Sequence, residues 1–334
     1  MTPSSIRLSR RGFLTGVAAL GTTTALAACG FQEDQPTGGG ATWDYTDDRG
    51  RSLTGERPAR IVAQVTAAAA LWEYGIRPIG VFGPSKLPDG RPDPQVGAVD
   101  LNTVTSLGNV WGEFNADKYL SLNPQLLVSV MYVDNELWYV PKEQAGQIDK
   151  AAPSAGIDIQ GLTTPQGIEK FAALAKALGA DLNAPAVTEA KAAFQRADAE
   201  FAEVAKRTSS LRVMGIAALK DAVYVVNPPA MPSIKHFAQQ GMQVVVPEKP
   251  DATGYYEQLS WENVNRYPAD VIMYDNRFGS LTPQDLTGNA TWSQLPAVKA
   301  GRLIGWNSES PLSYRAFTDQ LTKVTADLRR FSGT

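Results

Sequence analysis

The clearest pattern along the chain is a helical one near its middle. Between residues 184 and 207 there is no glycine and a single proline, Pro185, which suits the first turn of a helix. Apolar residues recur there at alternating steps of three and four, which places them on one helical face. We therefore predict an amphipathic helix over residues 185–207. The apolar positions are Val187, Ala190, Phe194, Ala197, Phe201 and Val204.

Short apolar runs alternate with helical segments on both sides of this helix. The polar stretch at residues 47–50 predicts the turn of a small hairpin near the start. The alternation that follows favours largely parallel α/β sheets, one in each half of the chain. Predicted strands cover residues 61–63, 78–83, 126–130, 211–216, 222–226, 243–246, 271–274 and 303–306, and predicted helices cover 66–74, 117–122, 233–240 and 314–330.

The two halves share a short internal echo. Asp117 and Glu262 each lie nine residues before the start of a predicted buried strand, and a proline stands just before that strand in both places. The echo is weak alone. Together with two similar halves and the predicted helix between them, it indicates two related lobes.

The N-terminus has the pattern of an export signal. Arg10 and Arg11 precede a mildly apolar segment that is too short to span a membrane comfortably, and together they resemble a twin-arginine signal. The segment ends in Leu-Ala-Ala-Cys at Cys29, which resembles a bacterial lipobox. We therefore expect a signal peptide (1–28), a flexible tether (29–42), an N-terminal lobe (43–184), the linking helix (185–207) and a C-terminal lobe (208–334).

Composition and charge narrow the class of protein. The chain has 334 residues, of which 43% are hydrophobic and 19% charged, as in folded proteins. Its formal net charge is -3 without a basic block, so we expect no nucleic-acid partner. One cysteine and one histidine exclude an internal disulfide framework and multi-histidine or multi-cysteine metal sites.

Enzyme motifs with a recognised mechanism are absent from the sequence. We therefore expect a binding protein and no enzyme. The alternative from another class is a secreted, lipid-anchored hydrolase, which would have to use His236 as its only histidine. His236 is expected to be an ordinary helix residue.

Four segments, in this order, resemble the cluster III solute-binding lipoproteins of ABC importers. Asp117 and Gln125 depart from that family's more frequent Glu and Asp. The segments are residues 57–63 (RPARIVA), 71–81 (LWEYGIRPIGV), 107–108 with 114–127 (LG and FNADKYLSLNPQLL) and 292–302 (WSQLPAVKAGR).

The resemblance implies two Rossmann-like lobes joined by one long rigid α-helix, with a ligand cleft between them. It also implies capture of a ferric siderophore, which we expect to be of the hydroxamate type, and delivery to an ABC-type permease. Haem or a cobalamin is the alternative ligand. Asp117 and Glu262 would dock on the permease, and Cys29 would anchor a monomer to the outer face of the cell membrane.

A ferric siderophore already surrounds its iron with oxygen ligands, so we expect the protein to need neither a cofactor nor metal ligands of its own. We expect aromatic faces and an arginine in the cleft. Ligands of open α/β sheets bind at the carboxyl ends of strands, so the candidates are residues just after predicted strands. They are Trp111, Tyr132, Trp138, Tyr224, Tyr255, Tyr256, Arg277, Trp306, Tyr314 and Arg315.

Overall fold

The described part of the chain begins with the predicted hairpin. In this computed structural model, which describes residues 41–332, strands β1 (Thr42–Thr46) and β2 (Ser52–Glu56) pair antiparallel. The buried carboxylate of Asp47, in the turn, accepts hydrogen bonds from the backbone N–H groups of Arg49 and Arg51. It also accepts one from the backbone N–H of Gly156 at 3.0 Å. These bonds fasten the hairpin to the first lobe.

The first lobe is a five-stranded parallel sheet with helices between its strands. Its elements are β3 (Ile61–Gln64), α1 (Val65–Glu73), β4 (Gly80–Phe82), β5 (Thr105–Ser106), α2 (Ala116–Ser121), β6 (Leu126–Met131), α3 (Lys142–Ala151), β7 (Ser154–Asp158) and α4 (Thr164–Ala177). The strand order is β5-β4-β3-β6-β7. Strands β3 and β6 are buried along their whole length, as expected for a parallel sheet covered on both faces.

The predicted linking helix is present with the predicted bounds, as α5 (Pro185–Arg207). Pro185 is its first residue. Its apolar face is buried through Val187, Phe194 and Phe201, among others, and its opposite face is largely exposed. The helix therefore folds by burying one face, as its periodicity predicts.

The second lobe contains a six-stranded mixed sheet. Its elements are β8 (Arg212–Ala218), β9 (Val223–Val226), α6 (Pro232–Gln239), β10 (Gln243–Val244), β11 (Tyr256–Leu259), β12 (Val271–Asp275), α7 (Ala290–Gln294), α8 (Pro296–Lys299), β13 (Leu303–Trp306) and α9 (Tyr314–Ser332). The strand order is β11-β9-β8-β12-β13, with β10 beside β8. Strands β9 and β11 run antiparallel to their neighbours, and the other pairs are parallel.

The second sheet is largely parallel, as expected, except for β9, which runs antiparallel to β8 and β11. A tight turn joins β8 to β9, where the N–H of Leu219 donates to the carbonyl of Ala222 at 2.9 Å, and a turn that short can connect only antiparallel strands. The predicted strand at 243–246 is reduced to two residues. The segment that begins at Glu262 is a 3₁₀ helix (Trp261–Arg266) where the echo predicted a short helix.

A second helix, α9, also connects the two lobes. α9 packs along α5, with the rings of Phe194 and Phe317 5.9 Å apart. The N-terminus of α9 also reaches the first lobe, because the carboxylate of Glu73 in α1 accepts hydrogen bonds from the backbone N–H groups of Tyr314 (2.7 Å) and Arg315 (2.9 Å). The lobes are thus held by α5 through the chain and by this carboxylate cap.

The predicted signal peptide, with Arg10 and Arg11, the acceptor Cys29 and most of the predicted tether lie outside the described residues. Within residues 41–332, none of the helices combines the length and the apolar character that a membrane crossing requires.

Candidate functional site

Seven aromatic side chains form a continuous row between the lobes, at or near the ends of the strands. The first lobe supplies Trp111, Tyr132 and Trp138, together with Tyr139, and the second supplies Tyr224, Tyr255 and Tyr256. We call this set the interlobe aromatic row. Six of its seven members were predicted from their positions relative to the strands.

The row is continuous from ring to ring in the first lobe. The centroid of Trp111 lies 4.9 Å from that of Trp138 and 5.1 Å from that of Tyr139. Trp138 in turn lies 5.0 Å from Tyr132. These separations are those of direct aromatic contacts.

The contact that crosses between the lobes joins two tyrosines. The rings of Tyr132 and Tyr255 are 5.9 Å apart and meet edge to face. Tyr255 continues to Tyr256 at 6.5 Å, and Tyr256 to Tyr224 at 6.1 Å. A molecule that enters between the lobes must therefore separate these rings or bind against their outer ends.

Exposure is high at the Trp111 end of the row and lowest in its middle. Trp111 is 58% exposed, whereas Tyr132 and Tyr255 are 7% and 5% exposed. The buried hydroxyl of Tyr255 has no hydrogen-bond partner within the described residues. The row therefore offers an open aromatic face at one end and a buried polar group further in.

A charged cluster lies beside the row. Arg277, which follows β12, donates from Nε to Asp275 at 2.7 Å and from a terminal nitrogen to Glu309. The other Glu309 oxygen accepts from the indole N–H of Trp138 at 3.3 Å, which ties the cluster to the first lobe. Asp93 adds a further contact between the lobes, since it accepts from the backbone N–H of Phe278 at 2.9 Å.

Burial and pairing shift the pKa values of this cluster. Burial raises the pKa of Glu309, and the Arg277 guanidinium partly offsets that rise. Burial likewise raises the pKa of Asp93, against the two backbone N–H groups that it accepts from. Burial works against the charge of Arg277, but the Glu309 and Asp275 carboxylates outweigh it and raise the pKa of the guanidinium. The cluster holds three acids to one arginine.

The remaining predicted ligand residues lie away from the row. Trp306, at the end of β13, is 1% exposed and donates from its indole to the hydroxyl of Ser233 at 2.9 Å. Tyr314 is buried against Phe194, with ring centroids 5.6 Å apart. Arg315 is exposed in the first turn of α9.

Two cavities flank the interlobe region. One of about 630 Å³ is lined by Trp111 and Tyr139 of the row and by the loop at residues 134–143. The other, of about 710 Å³, lies beside α1, α5 and α9 and includes Trp306 and Arg315 in its lining. The first cavity is continuous with the row and the second is on the side of the linking helix.

The two predicted docking acids occupy equivalent exposed positions. Asp117 lies in the first turn of α2, and Glu262 lies in the first turn of the 3₁₀ helix. The backbone N–H of Glu262 and the hydroxyl of Ser260 lower the pKa of the Glu262 carboxyl. An acid at such a helix start is locally favourable, so its position alone does not require a partner.

His236 is placed as a packing residue. It is buried in α6, its Nε2 is 2.6 Å from Asp198 of the linking helix, and its ring packs against Phe317. Within the described residues, no group of three or more His, Cys, Asp or Glu side chains is arranged to hold a metal ion.

Some site residues were not identified from the sequence. Tyr139 is not one of these, because its position beside Trp138, just beyond the predicted strand at 126–130, pointed to the same region. Glu309 pairs with Arg277 and Asp93 accepts from the neighbouring backbone of Phe278, both from distant parts of the chain, so no local pattern could have paired them. Gln64, the last residue of β3, carries a buried amide nitrogen without a partner within the described residues.

Comparison with known proteins gives a consistent result. The family model for periplasmic binding proteins matches residues 86–310. The crystal structure of DesE, a ferric-siderophore receptor protein from Streptomyces coelicolor, has 41% sequence identity and a TM-score of 0.81, over 86% of this chain and 97% of that one. The search of curated proteins gave no significant match.

More distant structures share the fold. The siderophore periplasmic binding protein from the fuscachelin gene cluster of Thermobifida fusca has 20% identity and a TM-score of 0.59, over 83% of this chain and 98% of that one. VctP, a periplasmic catecholate-siderophore binding protein from Vibrio cholerae, has 17% identity and a TM-score of 0.58, over 87% of this chain and 100% of that one.

Proposed function

Because the chain belongs to the periplasmic binding protein family, a family of extracytoplasmic substrate-binding proteins and not of enzymes, we propose that it captures a ferric siderophore and delivers it to an ABC-type permease. The iron is part of the cargo, held by the oxygens of the siderophore, and the protein supplies no metal ligand and no cofactor. DesE, at 41% identity, is described as a ferric-siderophore receptor protein, which supports this ligand class.

The observation that carries the proposal is the interlobe aromatic row. Its rings come from both lobes and meet at Tyr132 and Tyr255, 5.9 Å apart. Aromatic faces pack well against the carbon arms of a chelator, and tyrosine hydroxyls can donate to its oxygens. A bound chelate would touch both lobes at once, which is how a two-lobed binder senses its ligand.

The charge of the adjoining cluster favours a hydroxamate over a catecholate. Fe³⁺ held by three hydroxamates has no net charge at its core, whereas three catecholates leave it strongly anionic. Arg277 is paired with both Asp275 and Glu309, and Asp93 adds a third carboxyl beside them. A strongly anionic core would meet net repulsion there, so we propose that the ligand is a ferric hydroxamate.

Binding can be tested by tryptophan fluorescence. Titration with a ferric trihydroxamate should quench the emission at sub-micromolar ligand, because Trp111 and Trp138 lie in the row. Trp111→Phe with Trp138→Phe should remove most of the quench, whereas Trp292→Phe, a buried tryptophan of the second lobe, should retain it. Flat curves for hydroxamates with a response to haem or cobalamin would reject the siderophore assignment in favour of those ligands.

We propose that Asp117 and Glu262 dock on the permease, one acid from each lobe. Both carboxylates are exposed in first helical turns, and both precede a buried strand of their lobe. Asp117→Ala with Glu262→Ala should leave ligand affinity unchanged and reduce uptake by cells. Asp89→Ala with Asp285→Ala, two other acids at the surface, is the matched control. Normal uptake by the first double variant would refute the docking role.

We also propose that Cys29 carries a lipid anchor after twin-arginine export. The support is the sequence alone: Arg10 and Arg11 precede an apolar segment that ends at the single cysteine. Cys29→Ala should move the protein from the membrane to the soluble fraction, and Arg10→Lys with Arg11→Lys should block export. Retention of the Cys29→Ala protein on membranes would contradict the anchor. The exported protein is proposed to act as a monomer.

A further inference from the structure

The side-chain amide of Gln64 has a hydrogen-bonded oxygen and a nitrogen without a partner within the described residues. It is the last residue of β3 and is fully buried. Its Oε1 accepts hydrogen bonds from the backbone N–H groups of Thr66 (2.9 Å) and Ala67 (3.2 Å), which caps helix α1. Because Oε1 is held in this way, the amide is fixed in orientation and its Nε2 points elsewhere.

That Nε2 has no hydrogen-bond partner within the described residues. A buried donor without an acceptor is unfavourable by about 1–3 kcal/mol, so such a group calls for an explanation, and a bound ligand would supply one. Gln64 stands at the carboxyl end of a central parallel strand, which is where ligands of α/β sheets bind. The free donor is therefore located where a ligand-binding group is expected.

Tyr139 of the interlobe aromatic row lies near this donor, beside Gly83. A Cβ built on Gly83 would lie 3.5 Å from Nε2 of Gln64 and 3.4 Å from Cγ of Tyr139. The amide, the bare backbone of Gly83 and the tyrosine ring thus share one small space. A side chain at position 83 would occupy it, and the positive φ of 89° at Gly83 already favours glycine there.

The backbone of Tyr139 is held in an unfavourable conformation. Tyr139 has φ of 64°, in the left-handed region that residues other than glycine, asparagine and aspartate rarely adopt. Tyr139 also lines the cavity of about 630 Å³, together with Trp111. The ring therefore has space into which it can move, and the backbone strain is released if Tyr139 leaves this conformation.

We propose that Gln64 is a ligand-contacting residue that Tyr139 shields until a ligand enters. The inference rests on the proposed function and specifies one contact within it. An incoming ferric hydroxamate displaces the Tyr139 ring into the adjoining cavity, and Nε2 of Gln64 then donates to an iron-bound hydroxamate oxygen. The rigid cap on α1 makes this donor selective for a ligand whose oxygen reaches the end of β3.

The test replaces the donor and keeps the cap. Gln64→Glu retains the oxygen that caps α1 and exchanges the N–H₂ group for a carboxylate oxygen, which has no proton to donate to a hydroxamate oxygen. Gln125→Glu is the matched control, since Oε1 of Gln125 also accepts from two backbone N–H groups (2.8 and 3.0 Å), at the opposite end of the same sheet. Affinity for a ferric trihydroxamate should fall about 10- to 100-fold in Gln64→Glu. Gln125→Glu should stay within about threefold of the wild type.

A second measurement uses the wild-type chain, so the outcome does not depend on folding of the variant. With a gallium trihydroxamate as the diamagnetic probe, the side-chain amide protons of Gln64 should move downfield and exchange more slowly. Wild-type affinity in Gln64→Glu, or unmoved Gln64 amide signals on saturation, would overturn the inference and leave the proposed function standing. A wild-type chain that binds no ferric hydroxamate would overturn both.

Discussion

Glu309→Gln should change which ferric chelates the protein prefers. The substitution removes one negative charge from the cluster beside the interlobe aromatic row. Arg277 keeps a charged partner, because Asp275 remains at 2.7 Å, and the single oxygen of a glutamine can still accept from either Arg277 or the indole of Trp138. The variant therefore alters the electrostatic field of the site without leaving a buried guanidinium unpaired, which would be strongly destabilising.

The size of the effect follows from Coulomb's law. For a chelate with one net negative charge about 8 Å from Glu309, at an effective dielectric constant of about 20, the repulsion that is removed is about 2 kcal/mol. That corresponds to about 30-fold tighter binding of the anion. A chelate without net charge should change by no more than about threefold, since only local hydrogen bonding differs.

The same site predicts a pH dependence. Burial raises the pKa of Glu309, so this carboxyl takes up a proton at a higher pH than an exposed glutamate, whose pKa is about 4.3. Protonation removes the same negative charge as the substitution does. In the wild type, affinity for an anionic chelate should therefore rise as the pH falls through this raised pKa. Glu309→Gln should show a flatter profile.

The assay is tryptophan fluorescence titration with a neutral and an anionic ferric chelate, each at pH 7.5 and pH 5. Asp89→Asn is the control, because it makes the same change in net charge at an exposed acid paired with Arg91. It should leave both affinities within about threefold at roughly physiological salt. Equal changes for both chelates in Glu309→Gln, or an Asp89→Asn variant that matches it, would refute the electrostatic reasoning.

Three further predictions concern the scaffold. Asp47→Asn should lower the free energy of unfolding at pH 7 and make it less dependent on acid. Burial favours the protonated carboxyl, but the hydrogen bonds that Asp47 accepts outweigh burial and lower its pKa. The stabilisation by Asp47 is therefore present at neutral pH and is lost as the pH falls through that lowered pKa. Urea unfolding at pH 7 and pH 3 measures this, and parallel curves for variant and wild type would contradict it. Glu73→Ala should cost about 2–4 kcal/mol of unfolding free energy, because two backbone N–H groups at the start of α9 lose a charged acceptor; Glu169→Ala is the control, and a loss below about 0.5 kcal/mol would show that water replaces the cap. Gly108→Ala should destabilise the chain severely, since a Cβ there would lie 2.3 Å from the carbonyl oxygen of Glu113 at a φ of 142°, and an unchanged thermal midpoint would show that the loop relaxes freely.

Local patterns were sufficient to predict much of the fold. The helix at Pro185–Arg207 was predicted to the residue, because burial of one face leaves a period that sequence alone displays. The two-lobed α/β organisation followed from the alternation around it, and the membership of the chain in the predicted family is confirmed by the comparisons. Strand β11 was not predicted, and neither was the antiparallel direction of β9, since pairing direction depends on the length of the connections more than on residue type.

The site was predictable as a region more than as a set of contacts. Position after a strand brought Tyr132, Trp138 and Tyr255 together, because strand ends in both lobes face the same space. The same rule also selected Trp306, whose ring is buried in the second lobe and donates to Ser233. Position alone does not state which way a side chain points at the end of a strand. Partners such as Asp93 are set by folding of distant segments and had no sequence signal.

The way the lobes are joined limits how a ligand can enter. On one side α5 and α9 pack together, and the Glu73 carboxylate caps the start of α9 from the first lobe. On the other side the contacts between the lobes are rings and a few hydrogen bonds, such as the one from Trp138 to Glu309. Side-chain contacts of that kind separate at a lower cost than a packed pair of long helices. Entry should therefore proceed by displacement of rings at the row, among them the strained Tyr139, with the helix pair as a fixed support.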